Sequence, residues 1–135
     1  MRLARRLARV LSLAAGAGLM ACAPDETVTA FMQSDATYRL MTLDGIPVSA
    51  DAALQVSEPG ALAGEAPCNT FSAEVKAPYP WFELGPIRAT RRACPGLAEE
   101  ARLFETLQDM RFAEVQGSVL ILTGEDGAEM VFRAQ

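Results

Sequence analysis

The chain has 135 residues, 17 acids against 12 bases, three cysteines and no histidine, which bounds it at one globular domain. Half the residues are hydrophobic and 21% are charged, an ordinary globular balance rather than a disordered one. The missing histidine excludes a Ser-His-Asp triad, a Cys-His pair and an HExxH zinc site, and the net charge of −5 argues against a nucleic-acid binder. The chain opens with Arg2, Arg5, Arg6 and Arg9 and no acid, then runs apolar from Val10 to Ala23 and breaks at Pro24-Asp25-Glu26. A basic start, a short apolar stretch and small residues before a break describe a secretory signal peptide. The run of 14 residues falls short of the roughly 20 that a spanning helix needs.

The end of that run, Leu19-Met20-Ala21-Cys22, resembles the lipobox of bacterial lipoprotein precursors, with Met20 the less usual member. The resemblance implies cleavage before Cys22, a thioether-linked diacylglyceryl group on its thiol and acylation of the new amine. It implies a signal peptide over residues 1–21 and stable membrane attachment, because two or three chains hold where one is marginal. Ala23, in place of the aspartate that retains lipoproteins at the inner membrane, points to the outer membrane, with the body facing the periplasm. Loss of the leader with its four arginines leaves 114 residues and a net charge of −9. Such a body stays off anionic lipid except through its anchor.

Residues 22–36 are read as the lipidated cysteine followed by a flexible tether, polar and small from Ala23 to Ala36, with a reach of about 20 Å as a coil. The folded domain is placed at 37–135. Tyr38–Leu43 is a strand candidate closed by the turn Asp44-Gly45 and Pro47. Leu54–Ser57 alternates and stops at Pro59-Gly60, and Ala61–Gly64 is a weak strand. Phe71–Lys76 alternates cleanly, with Phe71, Ala73 and Val75 on one face. Trp81–Leu84 is bounded by Pro80 and Gly85-Pro86, with Ile87–Thr90 as its continuation. One helix is expected, Leu97–Met110, with Leu97, Ala101, Phe104 and Leu107 as its buried stripe. Glu99 and Glu100 suit the positive end of its dipole. Phe112–Val115 leads to a tight turn at Gln116-Gly117. Val119–Leu122, the most apolar run of the mature chain, is expected as the central strand. Glu125-Asp126-Gly127 forms a hairpin loop, and Ala128–Arg133 returns. One helix against many antiparallel strands is an α+β domain.

Cys68 and Cys94 remain once Cys22 is set aside. An even pair in an exported chain reads as a disulfide. Zinc would need about four ligands, and a catalytic thiol would lack an imidazole to activate it. The bond closes a loop of 27 residues, worth about 3–4 kcal/mol by loop-closure entropy.

The motifs along the chain resemble those of the META domain family, which includes the HslJ-like bacterial lipoproteins. They are Tyr38-Arg39-Leu40 leading to Leu43-Asp44-Gly45, then Pro67-Cys68-Asn69-Thr70-Phe71 with Pro67 where glycine is usual. Thr90-Arg91-Arg92-Ala93-Cys94-Pro95 follows, then a Glu-rich helix with Phe104 and Leu107, and a closing strand pair at Leu120–Leu122 and Met130–Phe132. The resemblance covers Thr37–Arg133. It implies a compact, strongly curved, partly barrel-like antiparallel sheet with one helix in a small envelope protein, and it implies no reaction.

Arg88, Arg91 and Arg92 are the one basic cluster in an acidic body. They read as an anion or partner site, or more simply as a strand edge paired with acids such as Glu99 or Glu100. Asn69 reads as a ligand contact or, more simply, as a turn cap. Asn69, Arg91 and Arg92 are thus the possible partner-binding residues. No catalytic residue, metal or cofactor is assigned. The expected function is a non-catalytic, monomeric envelope lipoprotein that supports envelope integrity or stress tolerance through contacts with an envelope protein. The alternative is a binder of a small apolar ligand or lipid on the concave face of the sheet; an enzyme is the least supported class.

Overall fold

The computed structural model describes residues 22–48 and 51–135; the signal peptide expected over 1–21 lies outside the described residues. Among the described residues, nine strands form one antiparallel sheet: β1 Tyr38–Leu43, β2 Ile46–Pro47, β3 Ala53–Glu58, β4 Ala61–Glu65, β5 Thr70–Glu74, β6 Arg88–Ala89, β7 Met110–Gln116, β8 Val119–Gly124 and β9 Glu129–Ala134. Eight run in the order β6-β5-β4-β3-β1-β9-β8-β7, and β2 pairs only with β1. One helix, α1 Leu97–Asp109, joins β6 to β7. The domain is α+β, as the pattern of elements predicts.

The hairpin turns follow from local chemistry. Asp44 and Gly45 take φ of 52° and 75°, the left-handed pair that a two-residue turn needs to match strand twist, and Leu43 then pairs with Ile46. Gly127 ends the β8–β9 loop at φ 86°, with Asp126 Oδ1 accepting the Ala128 N–H at 3.0 Å.

The strand expected over Trp81–Leu84 is instead two single bridges, Val75 with Leu84 and Trp81 with Phe112. This segment links opposite ends of the sheet. Phe82 N–H donates to Arg111 O at 2.7 Å and Ala113 N–H to Pro80 O at 2.8 Å, while Lys76 N–H donates to Glu83 O and Gly85 N–H to Glu74 O, both at 2.8 Å. The sheet is thereby curled into a partial barrel. Ile87–Thr90 does not continue this segment: Gly85-Pro86 interrupts it, and β6 pairs with β5 through Phe71–Ala89 and Ser72–Arg88.

The concave face is the core. Tyr38, Leu54, Leu62, Leu120, Leu122 and Phe132 are fully buried there, from the inward-facing alternate positions of their strands. The expectation that β8 is central is corrected: it lies second from the β7 edge, and β1 joins the two halves by pairing with β3 and β9. An apolar run reports burial, not position in the strand order. The helix buries the second half of the expected stripe, Phe104 and Leu107, but not the first. Glu100 and Leu107 are buried with Leu103 and Phe104 packed beside them, whereas Leu97 and Ala101 face solvent. The spacings 100, 103, 104 and 107 fit one helical face better, but they include a carboxylate.

The expected tether is corrected as well. Val28 and Thr29 sit in a single 3-10 turn, Val28–Ala30, and Val28, Met32 and Ala36 belong to the core. Asp25 Oδ1 accepts the Thr27 N–H at 2.9 Å, and its Oδ2 accepts the Thr29 hydroxyl. Thr29 Oγ1 in turn accepts the Gly60 N–H at 2.8 Å, across the β3–β4 turn. Among the described residues, folded contacts therefore begin at Asp25, with Cys22–Pro24 before it.

Candidate functional site

The junction between β5, β6 and α1 is built around the two later cysteines. Cys68 ends the loop from β4 and Cys94 precedes the helix. They are bonded, with Cα atoms 5.6 Å apart, inside the range a disulfide needs. Gly96 at the helix start lies directly beneath the bond. A Cβ there would come within 2.9 Å of Pro67 Cβ and 3.6 Å of both sulfurs, so the loop, the bridge and the helix meet only because this position carries no side chain.

Asn69 and Glu100 lie next to the bridge at 5% and 4% exposure. Glu100 Oε2 accepts the backbone N–H groups of Cys68 and Asn69, both at 2.8 Å. Its Oε1 accepts Asn69 Nδ2 at 2.6 Å. Asn69 Oδ1 accepts the Thr90 hydroxyl at 2.9 Å and the Arg92 N–H at 2.6 Å, and Asn69 O accepts the Ala66 N–H at 2.8 Å. Burial by itself raises the Glu100 carboxyl; the Asn69 amide and the two backbone donors together outweigh it and hold the group below the ordinary carboxylate value. Asn69 is thus an internal tie between α1, β5 and the strip leading to Cys94, and its polar atoms are spent inside the protein. It leaves the set of partner-binding residues, and its side chain is not a local turn cap, because the partners of that side chain lie more than 20 residues away in sequence.

Arg88, Arg91 and Arg92 are exposed. The expected pairing with Glu99 or Glu100 is not found. Among the described residues the ion pairs are Arg39–Asp51 and Lys76–Glu74, and Glu100 is turned inward. The backbone of the arginine strip is held by Asn69 and by Thr90 N–H to Thr70 O at 3.0 Å, while its guanidinium groups project from a fixed edge. Beside the strip a shallow groove of about 510 Å³ crosses the outer face of β3–β6, lined by Gln55, Ala63, Glu65, Ser72 and Arg88.

Two features were missed in the sequence. Glu100 is the hub of the junction; a buried carboxylate carries no periodicity signal, and a glutamate in a first turn looks like a dipole partner. The second is a surface aromatic group. Phe31 stacks on Tyr79 at 4.2 Å between ring centroids, and Trp81 meets Phe112 at 5.0 Å. The turn Pro78–Trp81 joins the pairs, with Tyr79 N–H donating to Glu26 O at 2.8 Å. Its members come from three distant stretches, so only folding unites them. Cys22 is exposed and unpaired.

Comparison with known proteins gives the fold a family. None of the curated proteins matches the chain. A protein from Burkholderia xenovorans solved by NMR superposes with a TM-score of 0.61 at 17% identity, over 85% of this chain and 93% of that one. A DUF4847 family protein from Bacteroides vulgatus, solved by crystallography, superposes at 0.59 and 12% identity, over 74% and 92%. At these identities the likeness is one of fold. The sequence itself matches the META domain over residues 30–135, a span that takes in the disulfide junction, the curled sheet and α1, and the chain belongs to the META domain family.

Proposed function

We propose that the protein is a lipoprotein anchored through Cys22 to the outer membrane and facing the periplasm. Its META domain acts without catalysis, supporting envelope integrity or stress tolerance through protein contacts. The observation that carries this reading is the placement of Cys22. It closes the Leu19–Cys22 signal, stands exposed and unpaired, and lies three residues before Asp25, whose side chain is the first hydrogen-bonded one among the described residues. The Cys68–Cys94 bond supports an oxidising compartment, and Ala23 supports the outer membrane. The polar clusters support contact rather than catalysis, because Asn69, Glu100, Asp25 and Thr29 bond to one another and to backbone. The exposed arginine strip and the adjoining groove are the surface offered to a protein partner. The test is intact-mass analysis of protein from the envelope. A chain starting at Cys22 with added acyl mass supports the reading, and Cys22→Ser should accumulate unprocessed precursor. A mature chain starting elsewhere overturns it.

The alternative, an apolar ligand on the concave face, meets a face already filled by Tyr38, Phe132 and their neighbours. An opening of about 320 Å³ does lie between α1 and β1, lined by Leu40, Leu43, Leu103 and Met130 together with the polar Glu99 and Arg102. A lipid copurifying in native mass spectra of the envelope protein would favour that cleft.

A further inference from the structure

The aromatic group beside the N-terminal segment is the part of the surface that the proposed function leaves unused. Phe31, Trp81 and Phe112 are 53%, 55% and 40% exposed, and Tyr79 is half-buried between Phe31 and the turn. Four rings gathered on a strongly acidic body are not surface noise: isolated exposed apolar residues are common, but clustered ones mark a contact. We infer that this patch docks on the phospholipid surface that holds the chain's own anchor, so that the domain lies against the bilayer in one orientation.

The inference rests on the lipoprotein reading, and the length of free chain carries it. Cys22 is three residues from Asp25, a reach of at most about 11 Å at full extension. Asp25 is tied to Thr27, Thr29 and Gly60, and Glu26 O is bonded to Tyr79 N–H. A long tether would let the domain tumble clear of the membrane. This one holds the Glu26–Tyr79 edge at the headgroups and brings the aromatic group with it. Chemistry selects the same occupant. Trp and Tyr rings are enriched at the interface, where an apolar body and a polar edge both find partners. The patch residues Phe31, Tyr79, Trp81 and Phe112 carry no cation themselves, and Arg111, the residue before Phe112, donates Nη1 to the carbonyls of Gln108 and Met110. With a body charge of −9, docking comes from ring insertion and not from attraction to anionic lipid, so anionic lipid should not strengthen it.

Trp81 is the single tryptophan and reports on its own patch. Protein purified from the envelope is reconstituted in phosphatidylcholine vesicles, and its intact mass is read on the same sample. Docking predicts that Trp81 emission moves to shorter wavelength on reconstitution, that acrylamide quenches it less, and that acyl-brominated phosphatidylcholine quenches it. Phe31→Ser with Phe112→Ser should reduce all three changes while leaving the acyl mass and the circular dichroism spectrum intact. An acylated protein whose Trp81 stays water-exposed in vesicles overturns the docking and leaves the anchor standing. A blue shift that arises without vesicles and disappears on dilution assigns the patch to self-association and overturns it equally. So does a shift indifferent to the two serine substitutions. Protein without acyl mass removes the anchor and with it the argument for docking.

Discussion

Glu100 accepts three hydrogen bonds in a place that water does not reach. A glutamine there has the same shape but must present an amide N–H to one of those donors, whichever way it is turned. Glu100→Gln should therefore cost about 1–3 kcal/mol, the penalty of leaving a buried donor unpaired, seen as a lower urea midpoint with unchanged slope. The same group sets an acid limb. Its carboxyl is held below the ordinary value in the folded chain, and so is that of Asp25, where the Thr29 and Thr27 hydroxyls and the Thr27 and Gly60 N–H groups outweigh burial. A depressed folded pKa means that the unfolded chain binds more protons in acid. The stabilisation is complete above the ordinary carboxylate range of about 4 and is lost as the pH falls through the lower folded values. Urea midpoints measured between neutral pH and about pH 3 should fall for the parent chain. Glu100→Gln should be less stable at neutral pH but fall less.

Two elements depend on positions where a side chain is missing. Gly64 in β4 lies under the ring of Phe71, its cross-strand partner. A Cβ there would stand on the Ala53 carbonyl oxygen and 2.5 Å from Phe71 Cζ, and that ring also packs edge-on against Phe104 of α1. Gly64→Ala must push sheet and helix apart, so overpacking of about 1–3 kcal/mol is expected. Gly96→Ala acts at the other end of α1 against Pro67, whose ring cannot swing away. The disulfide beside it closes a sequence separation of 26, and Cys68→Ser with Cys94→Ser should remove about 3–4 kcal/mol. Thermal melts should drop by several degrees for each glycine variant and by more for the double serine, since 1 kcal/mol moves a domain of this size by about 4–8 °C. Glycines at such sites are indistinguishable in sequence from those of turns, because the partner atoms come from other strands.

At the scale of the whole molecule the N-terminal segment is part of the fold. Val28 and Met32 bury their side chains against the sheet, worth about 1.5–3 kcal/mol each, and Thr29 fastens the β3–β4 turn. A chain begun at Thr37, the boundary read from composition, loses both side chains and the Asp25 tie. Against a total stability of about 5–15 kcal/mol, that loss is decisive. It should melt without a sharp transition or fail to remain soluble, whereas a chain begun at Ala23 should melt cooperatively. Circular dichroism melts of the two chains check this. The family match beginning at residue 30 cuts through this segment.

The sequence by itself determined what local chemistry controls. Asp44-Gly45 and Asp126-Gly127 name their turns because only certain residues tolerate positive φ. Alternation named β3 and β5, the turns that bound β1 and β9 named those two, and a helical period with acids at its start named α1. An even pair of cysteines in a chain with an export signal named the disulfide. Folding decided what depends on atoms far apart in the chain. The order of strands, with β1 rather than β8 in the middle, is set by which edges meet. Glu100 is buried because Asn69 and the Cys68 N–H group, about 30 residues away, replace its water. Asp25–Ala36 is ordered because Gly60 and Tyr79 supply its partners. Among the described residues Arg88, Arg91 and Arg92 form no ion pair, and Glu100, one of the acids expected to face them, is turned inward onto Asn69. Spacing along a chain reports what a residue does to its neighbours within a turn or a strand; what it meets across the core is written only in three dimensions.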